Sequence, residues 1–313
     1  MAEIIDSDDI DFSLYERETE AQQKVKDASI WVQELIDRIK NPVRSQHTLM
    51  PWAKTHNRIQ FRPGEVTVWG GANGHGKSLV TGQVALSLCA QGEKVCIASF
   101  EMKPIKTLER MATQWAGPDM DSSAGLIDSY EQFRDWTNGK LFLYDQQGTV
   151  TARQVFAVVR YCAKERGITH VFIDSLMKCV AGEDDYNGQK AFVDELTAIA
   201  RDHGIHVHLV HHIKKPESED SKPNKYAYKG SGSITDQVDN VISVWRNKAK
   251  ERAKEGGKTD REKEHDCLLI CDKQRNGDWE GTIGLWFDRP SMQFVGEAGQ
   301  PPLALYENPR LSA

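Results

Sequence analysis

Apolar residues along this chain follow two rhythms. Across residues 21–40 the positions Val25, Ala28, Val32, Leu35 and Ile39 recur at three- and four-residue spacing, which predicts an amphipathic helix ended by Asn41-Pro42. From residue 61 short apolar runs alternate with longer, helix-periodic ones. Runs at 64–69, 94–100, 140–144, 170–173 and 205–210 predict strands, and the stretches 79–90, 106–115, 152–166 and 192–202 predict helices between them. That alternation predicts an α/β fold with a mainly parallel sheet flanked by helices. The last third holds apolar runs at 240–245, 267–271 and 281–287 and is expected to be richer in strand. The charged segment 248–265 between them is expected to be an exposed helix or loop. Residues 1–20 carry eight acidic groups against one arginine, the composition of a flexible arm. The chain therefore divides into an arm (1–20), a linker helix with connector (21–60), an α/β domain (61–295) and a tail (296–313). A lone amphipathic helix on a linker needs a surface for its apolar face, in its own core or on another subunit.

Composition narrows the class without naming it. Hydrophobic residues make up 39% of the 313 and charged residues 27%, as in a water-soluble globular protein. No run of eighteen apolar residues exists, so no membrane span is expected. The N-terminus lacks the pattern of a secretory or transit signal, so the expected location is cytoplasmic. Six cysteines without a C-x-x-C pair read as buried thiols in a reducing compartment. A net charge of −6 argues against a broadly basic surface but leaves room for a local basic channel.

The chemistry enters at residues 71–78. Gly71, Ala72, Asn73, Gly74, His75, Gly76, Lys77 and Ser78 fit G-x-x-x-x-G-K-[ST], between a predicted strand and a predicted helix that continues through Leu79. Glycines there let backbone amides wrap a polyphosphate at a helix N-terminus. Lys77 is expected to reach the β- and γ-phosphates of ATP or another NTP, and the Ser78 hydroxyl to ligate Mg²⁺. The strand 170–173 runs into Asp174, a candidate second Mg²⁺-organising carboxylate. The strand 94–100 runs into Glu101, an acid at the edge where open α/β sheets gather ligands, able to orient or deprotonate an attacking water.

A second concentration of chemistry is the run from Gly204 to Pro216, which holds four of the ten histidines, with His203 just upstream. On a strand, His206 and His208 share one face, and Ile205, Val207 and Leu209 the other. No cysteine or carboxylate lies nearby in sequence to complete a metal sphere, so these two read as hydrogen-bonded core histidines. His212 lies past the predicted strand end. Residues 214–229 follow, with five lysines, Tyr226 and Tyr228, diluted by three acids.

Six segments in this order (GANGHGKS, SFEMKP, FIDSL, HHIKKP, KGSGS and KQRNG) together resemble the DnaB-type hexameric helicases of superfamily 4, which include phage replicative helicases and the mitochondrial helicase Twinkle. The resemblance runs from about residue 61 to 294. It implies a RecA-like core, a homo-hexameric ring, and ATP-driven movement along single-stranded DNA with duplex unwinding during replication. It makes His212 a γ-phosphate sensor joined through Ile213 to a DNA loop. That loop would bind DNA through Lys214, Lys215, Lys229, Gly230, Ser231, Gly232 and Ser233, with residues 178–190 as a second channel loop. It makes Arg275 a finger acting on the neighbouring subunit's nucleotide, with Lys273 as companion, and places the base between Arg246 and Phe287. In the family a helix like 21–40 docks on the adjacent subunit. The primase and zinc modules of some phage relatives and the full helical N-terminal domain of the bacterial type find no match here. Primase activity is therefore expected from a separate chain, as are any helicase loader and polymerase. Two rival readings remain: a RecA-like ATPase of recombination or signalling, and an ATP-assembled clamp on single-stranded DNA.

Overall fold

In the computed structural model the described residues are 3–5, 28–40, 48–117, 123–182, 184–213, 221–223, 232–303 and 305. The first elements are β1 (Glu3–Ile5), α1 (Ala28–Lys40), β2 (Thr48–Leu49), β3 (Gln60–Phe61), β4 (Val66–Gly71), α2 (Lys77–Ala90), β5 (Val95–Ser99) and α3 (Pro104–Ala116). Then come α4 (Ser123–Thr137), β6 (Leu141–Tyr144), α5 (Ala152–Glu165), β7 (His170–Asp174), α6 (Tyr186–His203) and β8 (His206–His212). The last are α7 (Gly232–Gln237), β9 (Asn240–Arg246), α8 (Lys248–Glu255), β10 (Cys267–Gln274), β11 (Gly281–Asp288) and β12 (Gln293–Val295).

Ten strands make one sheet in the order β1-β6-β5-β7-β8-β4-β9-β10-β11-β12. Pairing is parallel from β1 to β9 and antiparallel from β9 to β12. Period-two alternation splits the apolar residues between two cores. Val68, Ile173 and Leu209 pack on one face with Val155 of α5 and Leu196 of α6. Their chain neighbours Trp69, Phe172 and Val210 pack on the other with Val84 of α2 and Met111 of α3. Helix boundaries follow local chemistry. Thr151 and Gln154 form a reciprocal capping box at the start of α5, and Gly204 ends α6 in the left-handed region at φ 62°. No described helix is long and apolar enough to cross a membrane.

The structure departs from the sequence reading in five places. Residues 3–5, expected within the flexible arm, form β1 and pair in parallel with β6; an edge strand offers unpaired backbone groups that even a three-residue segment can satisfy. The connector is not merely a linker, because Met50, Trp52 and Ile59 are buried in the main core. The Trp52 indole N–H donates to the Phe294 carbonyl at 2.7 Å. The tail also joins that core: Leu305 is buried and the Leu303 amide donates to Gln293 Oε1 at 2.9 Å. Helix α4 had no counterpart in the reading; Phe133 and Trp136 on it pack against Trp115. Finally, residues 178–190 are not one loop, since a 3₁₀ turn ends at Lys178 and α6 begins at Tyr186.

Candidate active site

The strand register brings the candidate residues to one edge. Ser99 of β5 pairs with Asp174 of β7, Asp174 pairs with Val210 of β8, and His212 pairs with Gly71 of β4. The C-terminal ends of four parallel strands therefore meet where the chain leaves β4 for α2, the crevice in which such sheets bind ligands. His212 is the last residue of β8 rather than a residue beyond it.

The turn 71–76 has the backbone that its glycines permit. Gly74 and Gly76 lie at φ 76° and 86°, a region that costs side-chain-bearing residues strain. A Cβ on Gly71 would sit 2.6 Å from the Val244 carbonyl oxygen, so glycine alone allows β9 this close. Asn73, Gly74, Gly76, Lys77, Ser78 and Leu79 line the crevice. The His75 ring instead turns inward and accepts from the Arg246 amide at 3.3 Å.

Lys77 Nζ donates to the carbonyls of Gly71 at 2.8 Å and Ala72 at 3.1 Å, and lies 3.2 Å from His212 Nδ1. On its other side His212 Nε2 lies 3.2 Å from Glu101 Oε1. An ammonium only donates and a carboxylate only accepts. Between these two partners the ring accepts at Nδ1 and donates from Nε2. Ser175 Oγ also donates to Glu101 Oε1 at 2.9 Å. The His212 hydrogen bond, with help from Ser175 and Lys178, holds the Glu101 carboxyl down to about 2 against the opposing effect of burial. A carboxylate that acidic is a weak base, so its geometry suits orienting a water more than stripping it of a proton. Burial lowers Lys77 to about 8, with Asp174 and Glu101 opposing. Burial also raises Asp174, whose Oδ2 accepts from Ser78 Oγ at 2.8 Å. These two oxygens are hard donors of the kind Mg²⁺ takes, and together they fit that ion.

The crevice is about 740 Å³ and continues past the phosphate loop to Arg246, Glu251, Phe287 and Arg289. Arg246 and Phe287 line that far end. Arg246 Nε is tied to Glu251 at 2.6 Å, and Phe287 packs on Phe294 with ring centres 5.0 Å apart. Lining residues that escaped the sequence reading include Met102, Arg110, Glu251 and Arg289. Arg110 carries a signal in the sequence, lying in the second turn of the helix that follows Glu101.

Lys273 and Arg275 are at the opposite end of the sheet. Strand β10 runs antiparallel to β9, and its last residue, Gln274, pairs with Asn240, which in turn pairs with Thr67 at the foot of β4. Gly71 lies four residues further up β4, roughly 13 Å at 3.3 Å per residue. Arg275 cannot serve the crevice of its own chain. Lys214, Lys215, Lys229, Gly230 and Ser231 lie outside the described residues, while Gly232 and Ser233 open α7.

Three buried histidines, His170, His206 and His208, form two directed chains. The Trp69 indole N–H donates to His208 Nδ1 at 3.2 Å, His208 Nε2 faces His170 Nδ1 at 3.1 Å, and His170 Nε2 faces Thr48 Oγ1 at 3.2 Å. The Thr67 hydroxyl, which accepts from Asn240, sits 2.8 Å from His206 Nε2, and His206 Nδ1 is 2.7 Å from the Arg62 carbonyl. The end donors and acceptors fix every tautomer and commit each ring nitrogen, as expected of core histidines. Among the described residues no group of three or more His, Cys, Asp or Glu could hold a metal ion.

Comparison with known proteins identifies the fold and the family. The structure is similar to a solved ATPase domain, with a TM-score of 0.71 at 17% identity over 87% of this chain and 100% of that one. It is also similar to a DnaB-like replicative helicase, solved in a study of its interactions with primase. There the TM-score is 0.68 at 15% identity, over 87% of this chain and 67% of that one. At such identities these matches establish the fold, a RecA-like ATPase core. The sequence profile of the DnaB-like helicase C terminal domain matches residues 57–296. The chain belongs to the DnaB-like helicase C-terminal domain family and is thus an ATP-dependent DNA helicase of the replicative type.

Proposed function

We propose that this chain works as a homo-hexameric ring that moves on single-stranded DNA, hydrolysing ATP at crevices completed by neighbouring subunits. The loop amides of residues 71–78 and Lys77 hold the phosphates, with the base between Arg246 and Phe287. Mg²⁺, when bound, would be held by Ser78 and Asp174 and would neutralise phosphate charge. Glu101 orients the attacking water. His212, in contact with both Lys77 and Glu101, reports the state of the γ-phosphate to the 214–233 segment, which binds DNA. Arg275 and Lys273 enter the neighbour's crevice and stabilise charge on the transferring group, an effect worth on the order of 10³–10⁵ in rate. Helix α1 docks on the adjacent subunit; Val32 and Ile36 on it are 53% and 37% exposed within the single chain. A separate primase, loader and polymerase would complete the replication machinery.

The observation that carries this reading is the opposition of Arg275 and the phosphate loop across one rigid sheet. The test is subunit mixing. Arg275→Ala and Glu101→Gln proteins are each expected to be inactive, yet mixed rings should recover turnover where an intact Glu101 faces an intact Arg275. Mixed rings that recover nothing, or helical filaments in place of rings in electron micrographs, contradict the proposal.

A further inference from the structure

Asp239 is a carboxylate at 2% exposure, one residue before β9. Such a charge is retained in a fold only when it is paired and hydrogen-bonded. One oxygen, Oδ2, accepts from the Val66 amide at 2.9 Å at the foot of β4. The Asp239 amide returns a bond to the Val66 carbonyl at 3.0 Å. These two bonds fix the residue to the strand that leads into the phosphate loop. The other oxygen faces Arg275 Nη1 at 3.2 Å, with Arg201 of α6 further away at 3.6 Å. The Arg275 amide also donates to the Asp239 carbonyl at 2.7 Å.

The rest of the support comes from the carbonyl end of α7, where a helix favours cations. Arg275 Nη2 donates to the carbonyls of Asp236 at 2.8 Å and Gln237 at 3.1 Å. Lys273 Nζ donates to those of Thr235 at 2.7 Å and Asp236 at 3.0 Å. Among the described residues these contacts leave the Arg275 Nε–H and one Nη1–H without a partner, on a side chain 38% exposed. The guanidinium is held from behind and open in front.

We propose that Asp239 is the positioning residue for Arg275: it aims the finger at the neighbour's crevice, while the carbonyls of α7 tie the same finger to the segment that follows the DNA loop. This rests on the trans role proposed for Arg275. Asp239 touches no nucleotide, and its own crevice lies at the far end of the sheet. Its loss should therefore damage the subunit as a donor of the finger and spare it as an acceptor.

Asp239→Asn keeps an acceptor for the Val66 amide and removes the charge that faces Arg275. The expected result is a fall in kcat of about 10- to 100-fold, the usual cost of misplacing a reacting group by about 1 Å, with KM and binding of a fluorescent ATP analogue unchanged. In mixtures, Asp239→Asn with Glu101→Gln should recover activity as Arg275→Ala with Glu101→Gln does, whereas Asp239→Asn with Arg275→Ala should not. Wild-type kcat in Asp239→Asn overturns the proposal. So does failure of the Asp239→Asn and Glu101→Gln mixture while the Arg275→Ala and Glu101→Gln mixture succeeds, because Asp239 would then serve its own subunit. If the latter mixture also fails in rings shown to be mixed, the trans reading falls and this inference with it. Should Asp239→Asn not bind the analogue, Asp239→Glu carries the test. It keeps the charge, displaces the finger by one methylene, and should lower kcat in the same donor-only manner; full kcat there overturns the proposal.

Discussion

Replacing His212 with alanine removes two contacts at 3.2 Å, one to Lys77 and one to Glu101. Both involve charged partners, for which a hydrogen bond contributes about 1.5–3 kcal/mol. The side chain is 24% exposed, so the low end applies, and the loss falls on the orientation of Glu101 because Lys77 keeps its two carbonyl partners. At about 1.5 kcal/mol the expected fall in DNA-stimulated kcat is about tenfold, with nucleotide affinity little changed. Stimulation by single-stranded DNA should vanish, since His212 ends β8 and is joined through Ile213 to the segment proposed to bind DNA. A second readout is the acid limb of the rate profile. The His212 bond is the main reason that the Glu101 carboxyl sits at about 2. Without it the carboxyl rises toward its ordinary range, held partly down by Ser175. A raised value means that the active carboxylate is lost earlier on acidification, so the variant should lose activity at a higher pH than the wild type. The assay is steady-state ATPase with and without single-stranded DNA from pH 3 to pH 8, a window that spans the ordinary carboxyl range. Intact DNA stimulation in His212→Ala, with an unmoved acid limb, refutes the bridge as the coupling element.

Two further expectations concern the scaffold that aims these groups. Burial holds His206 down at about 4 against an ordinary 6.5, and lowers His170 and His208 as well. The unfolded chain therefore binds protons that the folded one refuses, so stability falls as pH drops below 6.5, by about 2 kcal/mol at pH 5 from His206 alone; equal urea midpoints at pH 7.5 and pH 5 contradict this. Trp52→Ala should cost about 3–5 kcal/mol, because the buried indole and its bond to Phe294 make the connector part of the domain; an unchanged unfolding midpoint shows that the domain starts later.

What the sequence disclosed followed from how local each signal was. The phosphate loop was legible because its glycines, lysine and serine are contiguous and their chemistry is fixed by backbone shape. Asp174 and Glu101 were legible because each ends an apolar run, and a parallel sheet collects such ends. The faces of His206 and His208 followed from strand alternation, but their partners did not. Thr67, Trp69 and His170 come from distant segments, and only the register of β4, β7 and β8 brings them together. The same holds for the far wall of the crevice, where Arg110 and Arg289 arrive from α3 and from the turn after β11. The connector and tail were misjudged because their apolar residues sit in short stretches broken or preceded by proline, 49–53 and 301–306, too short to show a helix or strand period. Helix α4 was missed although Ile127, Tyr130, Phe133 and Trp136 keep a three-residue spacing. Asp239 gave no signal at all, since its meaning depends on Val66 and Arg275.

The central claim is that hydrolysis at this crevice drives strand separation, and strand displacement tests it most directly. A forked duplex with one labelled strand is mixed with the full chain, Mg²⁺ and ATP, in parallel with the Glu101→Gln protein and with a non-hydrolysable ATP analogue. The account predicts displacement by the wild type with ATP alone. Glu101→Gln should bind nucleotide and DNA and displace nothing, and the analogue should support binding without displacement. Displacement by Glu101→Gln at the wild-type rate, or wild-type ATP turnover that neither responds to single-stranded DNA nor separates the fork, contradicts it.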